Sequence, residues 1–264
     1  MPKVSIGDAD IYYEEAGAGP PLMMVPGLGG VGAIWAPQVA ELKSHFRCIT
    51  HDHRGCGQST RTKGEYSVER MADDTLRLMD GLGLERAHFI GHSTGGAIGQ
   101  IIALDHPERL ISLVLSATWA GPDSFFRRCF AIRRETLTKL GWESYQRVSN
   151  AFLYAPWWLA GHDAEIRAQE AAIIANPPDL DIAVARMDAI VRFDRRESLG
   201  RIKTPTLVIV AKDDMVTPIH LSEEIAGKIP NAKFVKLERG GHFVDIADPA
   251  TYNAAVRDFL LAHV

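Results

Sequence analysis

Short, continuously apolar runs alternate along the chain with amphipathic stretches. Residues 22–25, 46–50, 87–90, 113–115 and 206–210 are runs of this kind, the pattern of strands buried on both faces. Residues 233–237 read as a more alternating strand. Val68, Met71, Ala72, Thr75, Leu76, Met79 and Leu82 recur at i, i+3, i+4 spacing and predict a helix with one apolar face. Ala97, Ile101, Ile102 and Leu104 keep that spacing less cleanly, and Ala254, Ala255, Phe259 and Leu260 predict a closing helix. Near the start, 4–6 and 11–13 flank Gly7-Asp8 as a hairpin does. Strands alternating with helices predict an α/β fold: a mostly parallel central sheet with helices on both faces.

The alternation stops between Trp119 and Ser198, where no strand pattern occurs. Helical stretches fall near 125–140, 142–153, 164–175 and 182–193, punctuated by Gly121-Pro122, Ala155-Pro156 and Asn176-Pro177-Pro178. The expected organisation is a core of 1–118 and 199–264 interrupted by a helical insertion at 119–198. Such an insertion leaves the core at a sheet rim.

Composition narrows the function classes. The 264 residues carry 46% hydrophobic and 23% charged side chains with a net charge of −4, which excludes a disordered chain and lacks the basic excess of a nucleic-acid binder. Three cysteines, Cys48, Cys56 and Cys129, form no metal-ligand spacing, so free thiols and a cytoplasmic setting are expected. The apolar stretch 22–35 is broken by Pro26 and four glycines, and no segment approaches the roughly 18–20 uninterrupted apolar residues of a membrane helix. A small-molecule substrate is the expected partner, with no nucleic acid and no membrane, and a monomer or homodimer is expected.

The strongest chemical signal is Gly91-His92-Ser93-Thr94-Gly95. A buried strand precedes it and a helical pattern follows, the context a G-x-S-x-G nucleophile elbow requires. The helix N-terminus behind Ser93 favours developing negative charge. A serine hydroxyl needs a base, and the base needs an orienting group. Of ten histidines, His92 lies inside the elbow, and His51 and His53 read as turn or rim residues. His242 follows Gly240-Gly241 in a loop after the last strand, where small neighbours let an imidazole lean across the rim. Asp213 and Asp214 both follow the 206–210 strand, at the sheet edge where open α/β folds place their chemistry, and either can orient His242. The other then serves as a turn residue or helix cap. No H-E-x-x-H, Walker loop or dinucleotide fingerprint occurs, so neither a metal nor a cofactor is expected.

The order Ser93, acid, His242 resembles the α/β-hydrolase family along nearly the whole chain. So do the strand–elbow–helix, the Asp214-x-x-x-Pro218 turn, Gly-Gly-His before the closing helix, and the 52–59 loop Asp-His-Arg-Gly-Cys-Gly-Gln-Ser. The family pattern selects Asp214 as the acid. A serine at 93, rather than aspartate, sets the chain apart from haloalkane dehalogenases and epoxide hydrolases. The resemblance implies an oxyanion hole from the N–H groups of Leu28 and Thr94, with Pro26-Gly27 standing where many relatives carry His-Gly. Residues 127–130 and 152–158 are similar to the cap of aminoacrylate hydrolases of bacterial uracil degradation, and the core motifs also resemble 3-oxoadipate enol-lactone hydrolases. Both imply acyl transfer on a small, carboxylate-bearing substrate. Candidate substrate contacts are Gly27, Trp119, Arg127, Arg128, Trp157 and Phe243. The tail also resembles a stress-signalling regulator of the same fold, so a sensor that keeps the three residues is the alternative.

Overall fold

The structure is a computed structural model that describes residues 2–264. Eight strands form one sheet: β1 (Lys3–Ser5), β2 (Asp10–Ala16), β3 (Pro21–Val25), β4 (Arg47–His51), β5 (Ala87–His92), β6 (Leu110–Ser116), β7 (Thr206–Ala211) and β8 (Lys233–Leu237). Their order is β1-β2-β4-β3-β5-β6-β7-β8. β1 pairs antiparallel with β2 and β2 antiparallel with β4, while every neighbour from β4 to β8 is parallel. The chain leaves β3 for β4 on one side and returns for β5 on the other, so a crevice opens at the carboxyl ends of β3 and β5.

Helices cover both faces, as a sheet buried on two sides demands. α2 (Val68–Gly81), α3 (Thr94–Asp105) and α8 (Ile219–Lys228) pack on one face through Met71, Leu78, Ile98, Ile102 and Ile225. α1 (Ala36–Leu42) and α10 (Pro249–Leu261) pack on the other through Leu42, Tyr252, Val256 and Leu260. The weak periodicity of α3 has a simple cause: it is buried along almost its whole length, so no polar face is selected. It begins at Thr94, three residues before its clear pattern does. Helices α1 and α8 lie where no helix was expected from the periodicity; both are short, and a proline stands at the entry of each.

Four helices separate β6 from β7: α4 (Ser124–Leu153), α5 (Pro156–Gly161), α6 (Asp163–Ala175) and α7 (Leu180–Arg192). α4 is two helical segments, as expected at 125–140 and 142–153, joined at Gly141, whose φ of 81° and ψ of −177° are non-helical and open to glycine. A four-residue helix, α9 (Val244–Ala247), precedes α10. Among the described residues no helix is long and apolar enough to cross a membrane.

Candidate active site

Ser93 sits between β5 and α3 at φ 54° and ψ −114°, a backbone conformation few side-chain-bearing residues adopt. Its neighbours explain how the turn is possible. A Cβ on Gly91 would stand 2.2 Å from the Gly95 carbonyl oxygen, and one on Gly95 would stand 2.1 Å from that of Val25. Both positions therefore admit only hydrogen. The Ser93 carbonyl accepts from Thr118 Oγ1 at 2.7 Å and from Gly96 N at 2.9 Å, which fixes the turn from behind.

His242 and Asp214 meet beside this turn. Asp214 is buried after β7, and its Oδ2 lies 2.9 Å from His242 Nδ1. Its Oδ1 accepts the backbone N–H groups of Val216 and Thr217 at 2.7 and 2.9 Å, and Thr217 Oγ1 donates to Oδ2 at 2.8 Å. The carboxylate is thus locked before it touches the imidazole. Asp213 is neither a free turn residue nor a helix cap. Its Oδ1 accepts the N–H groups of Gly240 and Gly241, each at 2.8 Å, and so holds the loop that carries His242. That loop is also tied to the end of α4, because His242 N–H donates to the Leu153 carbonyl at 2.9 Å. Gly241 has φ 69°, and a Cβ there would stand 2.5 Å from Ala155 N. Among the described residues no hydrogen bond joins Ser93 Oγ to His242 Nε2. Both residues line one cavity, and such bonds often tighten only with substrate in place.

The loop after β3 closes the near wall. A Cβ on Gly27 would stand 3.2 Å from Ser93 Cβ, so the backbone of this loop lies against the serine. Leu28 lines the cavity. Thr94 opens α3, so its N–H has no partner four residues earlier within the helix. The 52–59 loop supports this wall from behind: Asp52 Oδ1 accepts from Gly32 N and Oδ2 from Gln58 N, both at 2.8 Å.

The cavity measures about 390 Å³ and lies between the carboxyl ends of the strands and helices α4, α6 and α7. Gly27, Leu28, Ser93, His242 and Phe243 line it as expected. Four candidate contacts do not. Trp119 is fully buried in the core against Phe126 and Phe193, with ring centroids 4.7 and 6.0 Å away. Arg127 and Arg128 are exposed on the outer face of α4, because the buried face of that helix runs through Phe126, Cys129, Phe130 and Arg133. Trp157 is exposed under the Arg239 guanidinium, 4.6 Å from its ring centre.

Two other arginines take their place. Arg133 on α4 and Arg186 on α7 both line the cavity, 4% and 1% exposed. Each stands in the apolar stripe of its helix, four residues from a buried hydrophobic side chain or closer. An arginine in such a stripe was the sequence signal for them. Arg186 Nη2 donates to the Leu28 carbonyl at 3.0 Å and to His53 Nδ1 at 2.9 Å, and Nη1 donates to the Arg54 carbonyl at 3.3 Å. His53 and His51 are buried, not rim residues. Burial, with the Arg186 charge second, holds His53 well below the usual histidine range and His51 down to about 4. His53 is therefore neutral and free to accept. His92 is also kept neutral, by burial first and then His242; its ring stacks on Phe243 with centroids 5.5 Å apart. Cys56 lines the cavity too, but burial pushes its thiol up, away from the nucleophilic thiolate. Behind His242, burial pushes Asp245 up to about 7. Among the described residues no group of three His, Cys, Asp or Glu side chains is arranged to hold a metal ion.

Comparison with known proteins adds a family. A family model described as alpha/beta hydrolase fold matches residues 20–140 and 173–249. The unmatched stretch between them covers the second half of α4, all of α5 and most of α6. A protein of Azorhizobium caulinodans named "Putative carbamate hydrolase RutD" is 39% identical over 259 residues, covering 98% of each chain. The enol-lactonase from Burkholderia xenovorans superposes with a TM-score of 0.91 at 27% identity, covering 98% of this chain and 100% of that one. A thermophilic esterase from Thermogutta terrifontis superposes with a TM-score of 0.87 at 29% identity, covering 100% and 99%.

Proposed function

Since this chain is a hydrolase of the alpha/beta hydrolase fold family, we propose that it is a serine hydrolase that opens an ester, lactone or related acyl bond through Ser93, His242 and Asp214. The observation that carries this reading is one shared cavity: the strained Ser93 and His242 both face it, and Asp214 holds His242 from behind. The printed names of the relatives, a carbamate hydrolase and an enol-lactonase, support an acyl carbon bonded to oxygen or nitrogen as the target.

The chemistry follows in two halves. Ser93 Oγ attacks the carbonyl carbon while His242 Nε2 takes its proton, and Asp214 holds the Nδ1–H side of the ring and stabilises the imidazolium. The oxyanion is received by the N–H groups of Leu28 and Thr94. Collapse breaks the bond to the leaving oxygen or nitrogen, which takes the proton from Nε2 and leaves an acyl group on Ser93. Water then attacks that ester, giving its proton to His242. The acid departs and Ser93 regains its proton. Helices α4 to α7 act as a cap that sets what reaches Ser93.

A fluorophosphonate reagent tests the assignment. It is expected to label the protein at Ser93 alone, and Ser93→Ala is expected to abolish labelling and to lower ester turnover by about 10⁴-fold or more. Labelling at another residue overturns the reading. Turnover beyond one ester per site separates an enzyme from a sensor that stalls at the acyl stage.

A further inference from the structure

Arg54, Arg133 and Arg186 are all buried, but only the first has an ordinary explanation. Arg54 is paired with Asp74 and Asp8. Arg186 is neutralised by no carboxylate, yet its nitrogens are taken by carbonyls and a neutral imidazole. Arg133 has less. Its Nε donates to Ser149 Oγ and its Nη2 to Tyr145 OH, each at 3.2 Å, while no protein acceptor bonds Nη1. The rings of Phe130 and Tyr145 flank the guanidinium at 4.9 and 5.6 Å. No carboxylate lies within salt-bridge distance among the described residues. Glu170 lines the same cavity but accepts from Asn150, and Asp179 caps α7. Arginine does not lose its proton in a protein. A buried cation without a counter-ion is costly unless an anion arrives.

The remaining lining is largely apolar, including Leu28, Ile34, Trp142, Ile182, Met187 and Phe243. Its size is as informative as its polarity. Carbamate has only four heavy atoms, whereas a cavity of about 390 Å³ is within the range that takes a drug-sized ligand.

We infer that the substrate is an amphiphilic anion: an ester or lactone whose acyl carbon meets Ser93, whose far end carries a carboxylate bound by Arg133, and whose middle is apolar. This inference rests on the serine-hydrolase reading for the reacting end. It rests on Arg133 and the cavity for the rest.

Three esters test it. Values of kcat/KM are measured for monomethyl suberate, dimethyl suberate and methyl carbamate. Monomethyl suberate is expected to exceed dimethyl suberate by about tenfold or more, as a charge-assisted contact provides, and to exceed methyl carbamate as well. Dimethyl suberate or methyl carbamate being the better substrate overturns the inference without any variant. Arg133→Gln is expected to bring the mono-to-dimethyl ratio to about one, with Arg133→Lys between. A Gln variant that keeps the wild-type ratio reduces Arg133 to a brace of the α4 bend and overturns its role. A second measurement does not depend on turnover. Calorimetry of suberate binding to the Ser93→Ala protein is expected to show affinity falling about tenfold or more when Arg133→Gln is added; equal affinities overturn the anion site. Suberate binding with no ester hydrolysed instead sinks the serine-hydrolase reading and leaves the anion site standing.

Discussion

Loops of the sheet rim form one wall of the cavity, and helices α4, α6 and α7 form the other. On the rim, glycine at 91, 95 and 241 lets backbone approach backbone at distances a Cβ forbids. Function there is set by main-chain geometry. On the helical wall, the spacing is ordinary and the polar chemistry rests on two arginines inside apolar stripes. The rim would prepare a reaction common to many acyl groups; the helices would choose among them. The family match runs through the rim motifs and also takes in Arg133 and Arg186; it skips only residues 141–172.

The contrast can be pressed hardest at the rim. Asp214→Asn is expected to lower kcat by about 10³–10⁴-fold, because the amide offers His242 the wrong hydrogen-bond partner. Asp213→Asn removes only part of the grip on Gly240 and Gly241 and is expected to cost about tenfold. Steady-state ester hydrolysis reads both, and the opposite ranking would move the orienting role to Asp213.

Arg186 joins the two walls. It acts through the Leu28 loop rather than on the reacting atoms, so it is a positioning residue. Arg186→Met is expected to lower kcat by about ten- to a hundred-fold with little change in KM, as small misplacements of reacting groups do. Arg186→Lys recovers only part of this, since an ammonium cannot span the Leu28 carbonyl and His53 as a guanidinium fork does. A rise in KM at constant kcat would instead make Arg186 a direct substrate contact.

The smallest effect belongs to the outer face of α4. Arg127→Ala and Arg128→Ala are each expected to change kcat/KM less than about threefold and stability by no more than about 0.5 kcal/mol. Enzyme kinetics and thermal melting check this pair. A large rise in KM for an acidic ester would return the substrate to that face.

What could be read from the sequence follows the same line. The elbow, the Gly-Gly-His loop and the strand alternation were visible because tight turns and doubly buried strands admit few residue types, so each leaves its mark in a handful of adjacent letters. Arg127 and Arg128 stand out through the cap resemblance, yet adjacent residues on a helix point about 100° apart, and resemblance does not state which face of α4 turns to the cavity. Arg133 and Arg186 were hidden in hydrophobic stripes, where one charge among buried neighbours is easily passed over. Trp119 looked like a pocket wall from its place at the junction; its burial against Phe126 and Phe193 depends on how α4 folds back, which local sequence does not state. The division of labour between Asp213 and Asp214 is a matter of one residue in a turn, below the resolution of any spacing argument.

The bond from His242 N–H to the Leu153 carbonyl ties the base to the last turn of α4. Exchanging the whole helical segment for that of a relative, to transplant its selectivity, therefore also cuts the tether of the imidazole. A chimera whose upper splice lies beyond Ala155 must supply an acceptor at the same point, or it inherits a new binding chamber with a wandering proton carrier.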